Sequence, residues 1–208
     1  MLRIETVEQR TLDILKQCMA LESLDSFVLV GGTALALQFG HRKSIDLDFF
    51  GNVQSLETYE ILEDFRNIGN TILATESRVM MGVYIDNLKI DIVKYKYPFI
   101  RDIINIDNIR LANPIDIAAM KLAAITGRGK KKDFIDLYFL LKNFSIEEIV
   151  QFYLEKYHDG NIFLVLRSLI YFEDADMDED PIMLEKISWV EMRNFIENKV
   201  NKYLRTIN

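Results

Sequence analysis

The stretch FVLVGGTALALQFGHRKSIDLDFF, residues 27–50, constrains the chain more than any other. Its first four residues, Phe27 to Val30, are apolar and predict a short buried strand. Gly31 and Gly32 break that strand and let the backbone turn tightly. Residues 33–39 read as a short apolar helix, with Gly40 suited to its C-terminal cap. After His41-Arg42-Lys43, a second strand is predicted over residues 44–50, in which Ile45, Leu47 and Phe49 alternate with Asp46 and Asp48. Successive strand side chains point to opposite faces, so the two aspartates share the face away from the apolar set.

Two carboxylates aimed at one place repel each other unless a cation lies between them. Oxygen donors of this kind suit Mg²⁺ or Mn²⁺. A glycine turn leading into a helix presents backbone N–H groups that can hold a phosphate. The same alternation also serves an edge strand with a solvated face. The Gly31-Gly32-Thr33 turn just upstream favours a metal and a phosphate cradle side by side, which is the equipment of nucleotide chemistry.

Along the rest of the chain, residues 6–23 predict an amphipathic helix that holds the single cysteine, Cys18, as a small buried hydrophobe. Ser55 fits the N-cap of a helix reaching residue 68, ended by Gly69-Asn70. Two apolar-rich runs, residues 78–85 and 88–94, flank Asp86-Asn87 and predict a β-hairpin. In the second run Leu88, Ile90 and Ile92 face one way and Lys89 and Asp91 the other, which makes Asp91 a candidate third carboxylate or a surface acid paired across the sheet. Residues 101–111 read as a link with strand or turn character. Asn113-Pro114 opens a helix, and from there nearly everything reads as helical, so a domain boundary is placed at residue 112.

The helical half carries charges that need a reason. Lys121 is the only charge between Ile117 and Ile125, where it either snorkels, pairs with a buried acid or holds a phosphate. Asp133 and Asp136 are three residues apart and share a helical face. Asp136 stands among apolar residues and suits a salt bridge to Lys121. The basic run Arg128, Lys130, Lys131, Lys132 is either a solvated loop or a receiver of phosphates. Residues 161–171 read as a buried helix, and the acidic stretch 173–181 as a solvated loop. Capping boxes open helices at Ser145–Glu148 and Ser188–Glu191.

Three groups of residues carry a family resemblance. Gly31-Gly32-Thr33-Ala34-Leu35 with His41-Arg42-x-Ser44-x-Asp46-x-Asp48 resembles the first motif of the nucleotidyltransferase superfamily, and specifically of its AbiEii/AbiGii-type toxin branch. Asp116-x-x-x-x-Lys121 and Asp133-x-x-Asp136 resemble two further motifs of that branch. The resemblance implies an α/β (α+β) fold: a mixed sheet with flanking helices over residues 1–112, and a helical half over residues 113–208 that supplies a lysine and an aspartate to a cleft. It implies transfer of a nucleoside monophosphate from an NTP to an acceptor hydroxyl. Asp46, Asp48 and Asp91 would be metal ligands for Mg²⁺ or Mn²⁺. Gly31, Gly32, Thr33, Arg42, Ser44 and Lys121 would bind nucleotide, and Asp46, Asp48, Lys121 and Asp136 would be catalytic. It further implies a toxin restrained by a cognate antitoxin, with tRNA as the possible acceptor. A small-molecule nucleotidyltransferase and a non-catalytic nucleotide-binding module are the rival readings.

Bulk properties set the outer bounds. A net charge of −7 argues against a broad nonspecific grip on nucleic acid. No run of 18 apolar residues is present, and the first ten residues lack the apolar core of a secretory signal. With one cysteine and no internal disulfide, a cytoplasmic protein is expected.

Overall fold

Seven strands form in the first 112 residues: β1 (Val28–Val30), β2 (Leu47–Gly51), β3 (Thr71–Glu76), β4 (Met80–Ile85), β5 (Leu88–Lys94), β6 (Ile104–Ile106) and β7 (Ile109–Leu111). They pair in the order β3-β4-β5-β2-β1-β7-β6. The sheet is mixed, because β2 runs parallel to β5 and β1 parallel to β7, while the other neighbours are antiparallel. The computed structural model describes residues 1–207 and divides into two compact units, which meet in sequence between Ala112 and Asn113.

In the first unit the alternation of β2, β4 and β5 puts Leu47, Phe49, Met81, Val83, Ile90 and Ile92 on one fully buried face. Helix α2 (Gly31–Phe39) is apolar and buried from Thr33 to Leu37, and Gly40 closes it in the left-handed conformation at φ +76°. Helix α1 (Gln9–Met19) buries Leu12, Ile14, Leu15, Cys18 and Met19. Burial pushes the Cys18 thiol up to about 12, which leaves it an inert core residue. Arg110 of β7 spans three backbone carbonyls, those of Met19, Leu24 and Phe27, each at 3.0 Å, and so fixes the approach to β1.

Local structure departs from the sequence expectation in several places. The predicted helix over residues 6–23 is broken into a 3₁₀ turn (Ile4–Thr6), α1 and a second 3₁₀ turn (Glu22–Leu24). The break has a partner: the Thr6 carbonyl accepts from the Ser44 backbone at 2.9 Å rather than continuing a helix. Helix α3 (Thr58–Arg66) begins after Glu57, not at Ser55, whose hydroxyl donates to the Glu57 carboxylate instead. Strand β3 was not expected; it is a mostly exposed edge strand, so it carries no buried alternation to read. The link over residues 101–111 is a complete hairpin, β6–β7. Its Asp107-Asn108 turn, like Asp86-Asn87 between β4 and β5, takes positive φ at both positions, as a tight two-residue turn requires.

The second unit is helical: α4 (Pro114–Arg128), α5 (Lys131–Leu141), α6 (Ile146–Lys156), α7 (Ile162–Ser168), α8 (Glu173–Asp176) and α9 (Trp189–Ile207). Asn113 caps α4, its side chain accepting from Ile115 N at 3.1 Å. The Ser145–Glu148 capping box is complete at α6. The same reciprocal pair, Ser188 and Glu191, opens α9. Helix α7 is shorter than the buried helix expected over residues 161–171 and only one side of it is buried, with Phe163 and Leu164 exposed. Among the described residues no helix is long and apolar enough to cross a membrane.

Candidate active site

The register of the sheet brings Asp48 and Asp91 together. Asp48 on β2 is the direct partner of Asp91 on parallel β5, so the two carboxylates stand side by side on the face opposite the buried apolar set. The same line continues to Gly82 on β4 and to Thr75 on β3. A Cβ at Gly82 would come within 2.5 Å of Thr75 Oγ1 and 3.0 Å of Asp91 Oδ1, so only glycine leaves space for the Asp91 carboxylate there. Asp91 Oδ1 is buried and has no hydrogen-bond partner, while Oδ2 is ion-paired to Lys89. A buried carboxylate oxygen with no donor is costly unless something positive is meant to reach it.

On the other side of Asp48 lies the glycine turn. Gly31 begins α2 at φ +69°, and a Cβ there would sit 2.8 Å from Asp48 Oδ2. The missing side chain therefore leaves room for the carboxylate, and the N-terminus of α2, which has no side-chain cap, opens at this point. Replacing Gly31 with alanine is expected to cost about 1–2 kcal/mol for the left-handed backbone alone. It should also push Asp48 aside. Thermal melting would show the first effect. Loss of activity in excess of the loss of folded protein would show the second.

Asp46 is placed differently from the sequence expectation. Strand β2 starts at Leu47, so Asp46 lies in the approach to the strand rather than within it, and Ile45 is 65% exposed instead of facing the core. Two hydrogen bonds hold this approach off the sheet: Ser44 N to the Thr6 carbonyl, and Thr33 Oγ1 to the Asp46 carbonyl. Thr33 Oγ1 also lies 2.8 Å from Ser44 Oγ, and Arg42 donates to the Lys43 carbonyl at 2.9 Å. Thr33 and Arg42 are nearly inaccessible, at 1% and 3%. Their observed contacts shape the loop that presents Asp46.

Lys89 is the residue that sequence reasoning passed over. It precedes Asp91 by two positions, so their shared face was legible, but its reach was not. Burial opposes the charge on its ammonium. The hydrogen bond it donates to Asp91 and the charges of Asp91, Asp46 and Asp48 outweigh that effect and hold its pKa above the usual lysine value. A cavity of about 400 Å³ opens beside Asp46 and Lys89, with Ile45 and Tyr84 among its lining.

In the helical unit, Lys121 is buried between two carboxylates, 2.9 Å from Asp133 and 2.5 Å from Asp136. Asp133 is also gripped by Arg128, through Nε at 2.8 Å and Nη2 at 3.0 Å. Burial alone would raise the Asp133 pKa, but the charge of Lys121 and the Arg128 hydrogen bond outweigh it and hold it below the ordinary carboxylate value. Asp116 forms a second buried pair, with Lys156 of α6 at 2.8 Å. The basic run is not a bare patch. Lys130 pairs with Asp178 at 3.0 Å, and Lys131 donates through its backbone to Asp178 at 2.9 Å and through Nζ to Asp180 at 2.9 Å. The acidic stretch expected as a solvated loop is thus in part the counter-charge of the basic one.

Residues 13–205 match the family model described as nucleotidyl transferase AbiEii toxin, type IV TA system. The chain belongs to the AbiEii nucleotidyltransferase toxin family. An uncharacterized protein of Aquifex aeolicus (strain VF5) is 32% identical over 204 residues, covering 95% of this chain and 96% of that protein. Among solved structures, the fold is similar to MenT4, a nucleotidyltransferase toxin from Mycobacterium tuberculosis H37Rv, with a TM-score of 0.59, 15% identity and coverage of 93% and 84% of the two chains. It is also similar to JHP933 from Helicobacter pylori, with a TM-score of 0.52, 18% identity and coverage of 99% and 96%. At 15% identity the likeness to MenT4 speaks for the nucleotidyltransferase fold alone, and the family match makes this AbiEii chain a nucleotidyltransferase.

The donor set of this AbiEii protein fits a hard divalent cation: three carboxylates, one with an orphaned buried oxygen, beside a helix N-terminus. Among the described residues, however, no three acidic, imidazole or thiol groups are already gathered in a metal-holding arrangement. Asp91 is instead drawn to the Lys89 ammonium.

Proposed function

We propose that this AbiEii toxin moves a nucleoside monophosphate from an NTP to an acceptor hydroxyl, and that Asp46, Asp48 and Asp91 hold the divalent metal for that transfer. The observation that carries the reading is the pairing of Asp48 with Asp91, with Gly31 backbone against the Asp48 carboxylate. Bound Mg²⁺ or Mn²⁺ would neutralise phosphate charge and polarise the phosphorus under attack. The protein's own part is positioning and charge. The backbone N–H groups of Gly31 and Gly32, at the positive end of α2, receive phosphate oxygens, with the Ser44 hydroxyl alongside. Thr33 and Arg42 set the shape of the loop carrying Ser44 and Asp46. For Lys121, held between Asp133 and Asp136, the motif it completes supports a role in binding nucleotide. The cavity beside Asp46 has the volume of a small-ligand site and can receive a nucleoside.

Membership of a type IV toxin family supports a cognate antitoxin as partner, and tRNA is the acceptor that the motif resemblance implies. A protein using NTP and tRNA would act in the cytoplasm. One observation favours a small acceptor instead: the net charge is −7, and Lys130 and Lys131 already face Asp178 and Asp180. Incubation with Mg²⁺, each α-³²P-labelled NTP and total bacterial tRNA, resolved on a denaturing gel, separates the two. Label on tRNA from one preferred NTP supports the toxin reading. Pyrophosphate release with a small acceptor but no labelled RNA would replace it with the second. No label and no pyrophosphate with either acceptor would overturn the transfer itself.

A further inference from the structure

Lys89 takes no part in the chemistry proposed above, yet it occupies the most telling place in the first unit. Its ammonium is ion-paired to Asp91 Oδ2, and the charges of Asp46 and Asp48 act on it as well. Asp91, one of the three groups that make the site suitable for a cation, therefore already holds one, and it belongs to the chain. The other oxygen of the same Asp91 carboxylate is buried without a donor. One carboxylate thus has one oxygen committed to the ammonium and one waiting.

We propose that Lys89 is a built-in competitor for the divalent metal: its ammonium screens the Asp46, Asp48 and Asp91 carboxylates in the metal-free protein and must withdraw from Asp91 when the ion binds. The inference rests on the assignment of those aspartates as the metal site. Two features make the exchange physically easy. The Lys89 side chain is 43% exposed, so it can swing into solvent on its flexible stem without disturbing the core. Gly82 leaves the Asp91 carboxylate room to turn once it is released. An ammonium is a compact point charge that satisfies carboxylates but offers no Lewis acidity, so it can hold the site together without activating it. The consequence is a site whose charge is partly offset when empty and whose metal affinity is kept low until a nucleotide brings further phosphate ligands.

The test is binding of Mn²⁺ alone to the full chain, followed by electron paramagnetic resonance of the free ion and by calorimetry. Lys89→Met and Lys89→Gln are compared with the unaltered protein and with Asp48→Asn, each checked by circular dichroism. Removing one neighbouring positive charge is expected to tighten Mn²⁺ binding about tenfold or more in both Lys89 variants. Melting temperature provides a second readout: without metal the Lys89 variants should melt lower, because three carboxylates have lost their counter-charge, and Mn²⁺ should raise their melting point more than it raises that of the unaltered protein. Equal or weaker Mn²⁺ binding in both Lys89 variants, with Asp48→Asn abolishing binding in the unaltered background, would overturn the role of Lys89 while leaving the metal site standing. Absence of binding in every form, or binding untouched by Asp48→Asn, would overturn the metal site and the competitor with it.

Discussion

Asp48→Asn is expected to lower nucleotide transfer by about a thousandfold or more, because it removes a charge that must face the transferring phosphate and its metal. Asparagine keeps the size and one oxygen, so geometry is conserved and charge is the variable. The carboxylate stands beside Asp91 and against the Gly31 backbone, and the residue is only partly buried. Stability should therefore change little, or rise slightly as repulsion within the acidic cluster falls. The control is Asp107→Asn in the β6–β7 turn, a position already at positive φ, where asparagine is well tolerated. Steady-state pyrophosphate release and a urea melt on the same samples check both halves. Activity within tenfold of the unaltered protein would remove Asp48 from the chemistry.

Lys121→Met carries the largest expected stability loss. Its ammonium is held by Asp133 and Asp136, both wholly buried. Methionine fills the space but takes the ammonium away from two inaccessible carboxylates, of which Asp133 keeps Arg128. Breaking a buried pair from one side costs about 3–5 kcal/mol. Trp189, the only tryptophan, packs with Phe134 and Phe172 and reports unfolding of the helical unit by fluorescence. Acid should affect the two proteins in opposite senses. In the unaltered protein the Asp133 pKa is lowered by folding, so its stabilising contribution is complete above the ordinary value of 3.8 and is lost as pH falls through the lowered one. In Lys121→Met, protonation relieves the carboxylates that have lost the ammonium, so acidification towards about pH 4 should narrow the gap between variant and parent. Adding Asp136→Asn to Lys121→Met should recover part of the loss at neutral pH. A variant as stable as its parent across this range would show that the buried cluster does not hold the helical unit together.

How much of this was legible in the sequence depended on distance along the chain. The glycine turn at Gly31, the Asp86-Asn87 hairpin and the Asn113 and Ser145 caps are local devices, each decided by a few consecutive residues, and each is present. The shared face of Lys89 and Asp91 followed from strand period alone. Asp46 was misplaced because an alternating pattern cannot reveal that Thr33 and Thr6, far back in the chain, pull residues 44–46 off the strand. Strand β3 was missed because an exposed edge buries too little to print a pattern. The pairing of Asp48 with Asp91 joins residues far apart in the chain, and so do Lys130–Asp178 and Lys156–Asp116 in the helical unit. Pairings of that range are fixed by the whole topology and leave no mark in any one window of sequence.

The measurement that bears most directly on the proposed chemistry is anomalous diffraction from crystals soaked in Mn²⁺ and a non-hydrolysable NTP. The expected result is a manganese peak within bonding distance of Asp46 and Asp48, with Asp91 turned towards it and Lys89 withdrawn. A clear map with no peak among these three carboxylates, or with the metal and triphosphate held elsewhere in the chain, would contradict the assignment of this face of the sheet as the active site.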